Sequence, residues 1–429
     1  MSFVTGLQCA KCGKNYAPED NALFCKNHDD GRLDIFYDYD AIRNEVSREV
    51  LSKRAATVWK YKEFLPIGKR ENVVSLGEGG TPLIKSTRLA EKLKLQSLYL
   101  KDDTRNPTSS FKDRPMTVGV SKALELQAKI LASASSGNAA ASLAAYAARA
   151  GFECYAFVPE SAPAGKIAQL NLFGAKIVRL RQLKEEEDPT VKMLKLVCRK
   201  YGWYPCPSFG PFNPYQAEGP KTMAYEIVEA LDWEMPDWVA IPVGAGGLLA
   251  GNWKGFRELN LLGYAQGEPK ICAVQPEGCA PLVRAFRQGK SPLNIEPWRN
   301  PQSIAGGLCD PFPWDGDAAL TALKESGGTA ESVSDTEILE AQKLLAKTEG
   351  IFAEPSGVAS LAGLKKLLEQ GVIDREESVV VEITGSGLKD INVITRTPED
   401  YPLIEPRIEE FEKNHVIGRQ ISAIPSNPT

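Results

Sequence analysis

Two spacings of apolar residues alternate along most of the chain. Short apolar runs rich in β-branched side chains are followed by longer stretches whose apolar residues recur every three or four positions. Lys129–Ser135, Glu153–Val158, Lys176–Leu180, Trp238–Val243, Lys270–Val274 and Ser378–Ile383 read as buried strands, and Ser97–Lys101 as a shorter one. Helical spacing covers the alanine-rich stretch from Asn138 to Gly151. It recurs around Lys166–Phe173 before Gly174, from Val191 to Tyr201, and from Leu248 to Leu259. Strands alternating with helices of this length predict an α/β fold, with parallel sheet covered by helices.

The same pattern divides the chain. Residues 130–215 read as a small α/β domain with its own sheet. Residues 41–129 and 216–395 read as the two parts of a larger one. The segment 1–40 stands apart through its cysteines, and 396–429 reads as a Pro- and Ser-containing tail. Within the first part, the charged stretch after Asp38, broken by Tyr39, Trp59, Tyr61 and Phe64, is expected to be a helical connector over the core.

Composition narrows the function. With 429 residues, 43% hydrophobic and 25% charged, the chain can bury substantial cores. A net charge of -4 and no long basic run argue against a nucleic-acid partner. No apolar run is long enough for a bilayer, and the N-terminus lacks the regions of a secretory signal. Six of the nine cysteines are scattered through the body, the usage of a cytoplasmic enzyme with reduced thiols. Only His28 and His415 are present, each near an end, which argues against a histidine triad or a multi-histidine metal site. Lysine, carboxylates, hydroxyls or a cofactor must then carry any chemistry.

Near the N-terminus, Cys9-x-x-Cys12 and Cys25-x-x-His28 have the paired spacing of a zinc ribbon. Two readings stand. In one, the four residues bind one structural zinc; in the other, the knuckle packs on the enzyme body without metal.

Lys112 lies in Asn106-Pro-Thr-Ser-Ser-Phe-Lys-Asp-Arg-Pro-Met116, shortly after a turn-forming Asn-Pro. A helix is expected from about Thr108–Ser110 through Leu126, with Lys112 in its first turn. The positive end of a helix dipole disfavours an ammonium there and suits a neutral amine that forms a Schiff base. The bland alternative is a solvated lysine paired with Asp113. Three predicted strands end in polar or glycine-rich loops, at Ser135–Asn138, Gly244-Ala245-Gly246-Gly247 and Thr384–Gly387. Ligands of open parallel sheets bind beyond such strand ends, and a glycine loop before a helix cradles a phosphate with backbone N–H groups. By itself that loop is as well explained as a tight turn. Taken with Lys112, the set suits pyridoxal phosphate: Lys112 for the aldehyde, the glycine loop for the phosphate, Asn138 for the ring oxygen and Thr384 for the ring nitrogen.

These stretches, with Gly77-Glu-Gly-Gly-Thr-Pro-Leu83, Asn213-Pro-Tyr-Gln-Ala-Glu-Gly-Pro-Lys-Thr222 and Thr384-Gly-Ser-Gly-Leu-Lys-Asp390, carry a family resemblance. The chain resembles the archaeal and bacterial threonine synthases, within the fold-type-II (tryptophan synthase β-like) pyridoxal-phosphate superfamily. The resemblance runs from the first cysteine pair to about Asp390. It implies two open, mostly parallel α/β domains, with the N-terminal zinc-ribbon-like segment added, and a cytoplasmic homodimer. It also implies Lys112 as the Schiff-base residue, with Asn138, Gly244–Gly247 and Thr384 around the cofactor. The loop Ser135-Ser136-Gly137 would take the carboxylate of a small, phosphorylated amino-acid substrate. The activity implied is the conversion of O-phosphohomoserine and water to threonine and phosphate.

Three positions depart from the family pattern. Ala139 stands for a threonine, Gln216 for an arginine of Asn-Pro-x-Arg, and Ser386 for a histidine. Glutamine cannot replace the charge of a bidentate phosphate ligand, so Lys221 and Arg114 become the candidate substrate cations. The departures also leave open a related lyase or β-replacement activity, such as a serine/threonine ammonia-lyase or a cysteate-synthase-like reaction. An idle paralogue with a binding role is a further alternative.

Overall fold

In the computed structural model the strands gather into three sheets. Its described residues are 2–27, 31–160, 162, 164–181, 188–394 and 403–414. The N-terminal segment is itself a small antiparallel sheet. β1 (Val4–Cys9) lies between β2 (Asn15–Tyr16) and β3 (Leu33–Tyr37). Its inward side chains, among them Leu7, Cys9, Leu33 and Ile35, join the core of the large body.

After the connector, which forms helices at Tyr39–Glu45 and Arg48–Ser52, the chain enters the large sheet through β4 (Leu83–Lys85) and β5 (Ser97–Asp102). It then leaves to build a parallel four-stranded sheet from β6 (Ile130–Ala134), β7 (Glu153–Pro159), β8 (Lys176–Leu180) and β9 (Tyr204–Pro205), in the order 8-7-6-9. It returns through β10 (Trp238–Pro242), β11 (Lys270–Pro276), β12 (Thr329–Val333) and β13 (Ser378–Ile383). The large sheet runs 12-11-10-13-5-4, parallel except for β4. β10 is buried along its whole length and β13 over all but its first residue, as expected of strands covered on both faces. Helix Pro355–Glu369 lies very close to that sheet. A Cβ on its Gly363 would stand 2.3 Å from a Val274 methyl carbon, so glycine is needed for the approach.

Residues 1–390 form one compact unit, and 391–429 form another, in which Ile391–Ile394 and Ile408–Asn414 are short helices. The tail expected at 396–429 lies partly outside the described residues.

The lysine-bearing helix starts later than its sequence suggests, at Asp113, and runs to Glu125. The Asp113 carboxylate accepts the Thr108 amide N–H at 2.7 Å and the Thr108 hydroxyl at 2.6 Å, folding 108–112 into a loop. Ser109 there has φ +62°, outside helical space. Lys112 therefore occupies the N-cap position, and Pro115 falls in the first turn, where its missing N–H is tolerated.

This helix is anchored through Arg114, which is fully buried. Its guanidinium donates at 2.7 and 2.9 Å to Asp103, and at 2.7 and 2.8 Å to Glu226. Lys101 in β5 donates to Glu226 at 2.6 Å and to the Thr81 carbonyl at 2.6 Å. Two cations thus meet two carboxylates, with every charge directly bonded. Burial would raise the pKa of Glu226, but Arg114 and Lys101 override it and hold the carboxyl well below its usual range. Arg114 is therefore a structural residue and no substrate ligand.

Removing one partner of such a cluster strands the others. Arg114→Leu should destabilise the fold by about 3–5 kcal/mol, read from denaturant midpoints. Because the pKa of Glu226 is depressed in the folded state, its contribution is present above the ordinary glutamate range and fades as the pH falls. The wild type should consequently stay folded to lower pH than the variant in an acid titration followed by circular dichroism.

Candidate active site

The strand ends converge on one cavity of about 730 Å³, lined by Lys112, Ser135–Asn138, Gly244–Gly247 and Thr384 among others. Its volume suits a cofactor with a small substrate. Lys112 and Thr384 are distant in sequence but joined by backbone. The Phe111 N–H donates to the Thr384 carbonyl at 2.9 Å, Ser110 bridges Gly385, and the Ser386 N–H donates to the Ser109 carbonyl at 2.9 Å. The loop before the lysine helix is thereby sewn to the end of β13.

Lys112 is not paired with Asp113, whose carboxylate is taken by Thr108 and Ser142. Its Nζ donates to the Ser208 hydroxyl at 2.9 Å. Ser208 itself has φ +68°, a sparsely populated backbone state at a cavity wall. Burial lowers the Lys112 pKa to about 8, although Asp310 and then Asp315 pull the other way. Both aspartates line the same cavity. Burial pushes each up to about 7, against the opposing pull of Lys112 on Asp310 and of Arg32 on Asp315. The Asp315 carboxylate also accepts the Gly210 N–H at 2.9 Å.

On the far wall, β10 passes through Gly244–Gly247 into helix Gly247–Leu261. Gly246 has φ +101°, and a Cβ on Gly244 would stand 3.0 Å from the Gly307 carbonyl. Side chains would therefore close this turn, and the helix N-terminus presents its amides to an anion. On the opposite loop the Ser135 hydroxyl accepts the Gly137 N–H at 3.1 Å. Asn138, first residue of helix Asn138–Ala150, donates through its side-chain amide to Glu354 at 2.6 Å. The donor set fits pyridoxal phosphate: an easily neutralised amine, a glycine-lined anion cradle, an amide and a hydroxyl around one cavity.

Lys221 lies elsewhere. It is fully buried, its ammonium bonded to Glu218 at 2.8 Å and Glu258 at 3.0 Å and seated 4.1 Å from the centre of the Tyr37 ring. The expectation that it binds substrate is corrected: two carboxylates already use its charge, and it does not line the cavity. Gln216 does line it, but its amide nitrogen is turned to the Phe209 carbonyl at 3.1 Å. Among the described lining residues Lys112 is the one cation, facing Asp188, Asp310, Asp315 and Glu354.

Cys9, Cys12 and Cys25 come together, their sulfurs within 4.8 Å of one another, while His28 lies outside the described residues. Sequence reasoning missed Ser208, Asp310, Asp315 and Glu354. Ser208 and Asp310 lie in irregular loops and Asp315 and Glu354 just before helices, positions that no periodicity of apolar residues marks.

Residues 74–385 match the family of pyridoxal-phosphate dependent enzymes. The chain is 45% identical to the threonine synthase of Methanocaldococcus jannaschii over 93% of its own length and 96% of that protein. It is 42% identical to the threonine synthase of Methanosarcina acetivorans, covering 95% and 98% respectively. Its fold is shared with maize serine racemase, at a TM-score of 0.61 and 21% identity over 74% of this chain and 90% of the other.

The Lys112 environment makes a direct prediction. In cofactor-free protein, competitive acylation of Lys112 should show a midpoint near pH 8, where an ordinary lysine titrates near 10.5. Asp310→Asn removes the leading charge that favours the ammonium, so the midpoint should move lower still. Peptide mass spectrometry across a pH series measures both.

Proposed function

From the premise that this chain belongs to the pyridoxal-phosphate-dependent enzymes and groups with their threonine synthases, we propose that it converts O-phosphohomoserine and water to threonine and phosphate. The single observation that carries the site assignment is the meeting of Lys112, a base near neutral pH, with the glycine cradle in one cavity.

When bound, pyridoxal phosphate supplies an electron sink for carbanion chemistry at the substrate. The cradle Gly244–Gly247 would hold its phosphate, Asn138 its ring oxygen and Thr384 its ring nitrogen. A hydroxyl at that nitrogen, unlike a carboxylate, leaves it largely unprotonated. The Lys112 amine would take and return protons at the substrate carbons, a role suited to a group whose pKa burial lowers to about 8. In net terms, the γ-carbon loses phosphate with its electron pair and gains a proton. The β-carbon loses hydrogen and gains hydroxyl from water. Ser135, Ser136 and Gly137 receive the substrate carboxylate. With Gln216 where an arginine is usual, and with Arg114 and Lys221 committed elsewhere, backbone amides and hydroxyls are the groups that the described lining residues offer to the substrate phosphate. Partial neutralisation of Asp310 and Asp315 near pH 7 weakens the repulsion that phosphate meets. All nine cysteines are free thiols, which supports a reducing, cytoplasmic setting.

A second reading draws on that same shortage of cations. A hydroxy-amino acid without a phosphate would suit the four carboxylates and one lysine among the described lining residues, which favours a serine/threonine ammonia-lyase.

Incubation of the holoenzyme with O-phosphohomoserine should release threonine and phosphate in equal amounts. Lys112→Ala should lose the visible band of the lysine-bound cofactor and reduce turnover by at least about 10²–10⁴-fold. If free threonine or serine instead yields ammonia and a keto acid while O-phosphohomoserine stays intact, the lyase reading replaces the first.

A further inference from the structure

Cys9 and Cys25 are almost completely buried, Cys12 is exposed, and all three are free thiols. The turn after β1 brings them together. The Cys9 N–H donates to the Lys14 carbonyl and the Gly13 N–H to the Cys9 carbonyl, both at 2.9 Å, with Gly13 at φ +69°. Cys12 returns over Cys25, at a sulfur–sulfur separation of 3.7 Å. Four thiolates around a tetrahedral zinc, each bonded at about 2.3 Å, stand about 3.8 Å apart. The Cys12–Cys25 pair thus already holds the spacing of a coordination shell, and all three sulfurs lie within 4.8 Å of one another.

Their surroundings support bound thiolates. The Tyr16 hydroxyl donates to the Cys25 sulfur at 3.3 Å and the Asn27 amide N–H donates to it at 3.4 Å. The Asn27 side-chain amide donates to the Cys12 sulfur at 3.7 Å. Donors of this kind orient metal ligands and stabilise their charge. None of the three cysteines lines the catalytic cavity.

We propose that Cys9, Cys12 and Cys25 form three corners of a structural site for a thiophilic divalent cation of the zinc class. The module has reason to need one. β2 has only two residues, and a sheet this small buries little by itself. The same turn also steers Arg32. The Ala10 N–H donates to the Arg32 carbonyl at 3.0 Å, and Cys9 pairs with Leu33 in the sheet. Arg32 reaches from there to Asp317 at 3.2 Å and packs its side chain against Gly210, whose N–H is bonded to Asp315. The cation would therefore fix the base of a strut that ends on the cavity loop holding Ser208.

Metal analysis and cobalt substitution test the site without reference to catalysis. Holoenzyme purified without chelator should carry about one zinc per chain. After removal of the metal, one equivalent of cobalt(II) should produce thiolate-to-metal charge-transfer and tetrahedral ligand-field bands, read as a difference spectrum against metal-free holoenzyme. Cys12→Ser, chosen because Cys12 is exposed and dispensable for packing, should lose those bands while keeping native circular dichroism. Cys154→Ser, in the other sheet, should keep them. Folded wild type with neither zinc nor cobalt bands would overturn the proposal, and so would bands that survive in Cys12→Ser.

Discussion

The buried charges around Arg114 set the position of everything else near the active site. A guanidinium without solvent is costly, and it persists here because Asp103 and Glu226 are each bound in paired fashion while Lys101 balances the remaining charge. The cluster ties together the glycine-rich turn through Thr81, the end of β5, the lysine-bearing helix and helix Thr222–Ala230. Lys112 stands two residues before Arg114, so the cluster fixes where the amine enters the cavity. Glu382, opposite Lys101 in β13, finds no hydrogen-bond partner among the described residues for either carboxylate oxygen, and burial raises its pKa far above normal. Burial thus favours its uncharged form beside the cluster.

The cavity itself is acid-rich. Its carboxylates do not all carry full charge near neutral pH, since burial drives Asp310 and Asp315 up to about 7 and drives Lys112 down to about 8. These opposed shifts narrow the gap between acid and base, so proton exchange within the cavity needs little free energy. In the function proposed, backbone dipoles at the helix after Gly247 and the loop before Asn138 would bind the anions. Such dipoles carry no counter-charge of their own to be neutralised and are pre-oriented by the fold.

The glycine-rich motif Gly77–Leu83 illustrates how a shared motif can be structural. Glu78 is fully buried and accepts hydrogen bonds from Trp59, Tyr146 and the Leu76 amide N–H, so its acid braces the turn. A Cβ on Gly80 would lie 2.0 Å from the Ala56 carbonyl oxygen, which only glycine avoids.

Several features were legible in the residues alone because they rest on local rules. Alternation of period announced the parallel strands, a glycine marked the helix end at Gly151, and strand-end loops marked the cavity wall. The helix start at Ser334 is equally local, with Ser334 and Glu337 capping one another. Lys112 and Thr384 could be chosen as chemistry, but only the fold sews Phe111 to the Thr384 carbonyl. Charge was the least readable property. Arg114, Lys221 and Lys112 look alike as isolated cations, yet Arg114 is neutralised by Asp103 and Glu226, and Lys221 by its near neighbour Glu218 and the distant Glu258, while Lys112 has no such carboxylate bonded to it among the described residues. Asp310, Asp315 and Glu354 reach the cavity from loops whose paths no periodicity describes. Local patterns determine which elements form, because their hydrogen bonds and apolar faces are set within a few residues. The electrostatic role of a side chain depends on partners brought in from distant segments and on the water they exclude, and that was decided by tertiary structure alone.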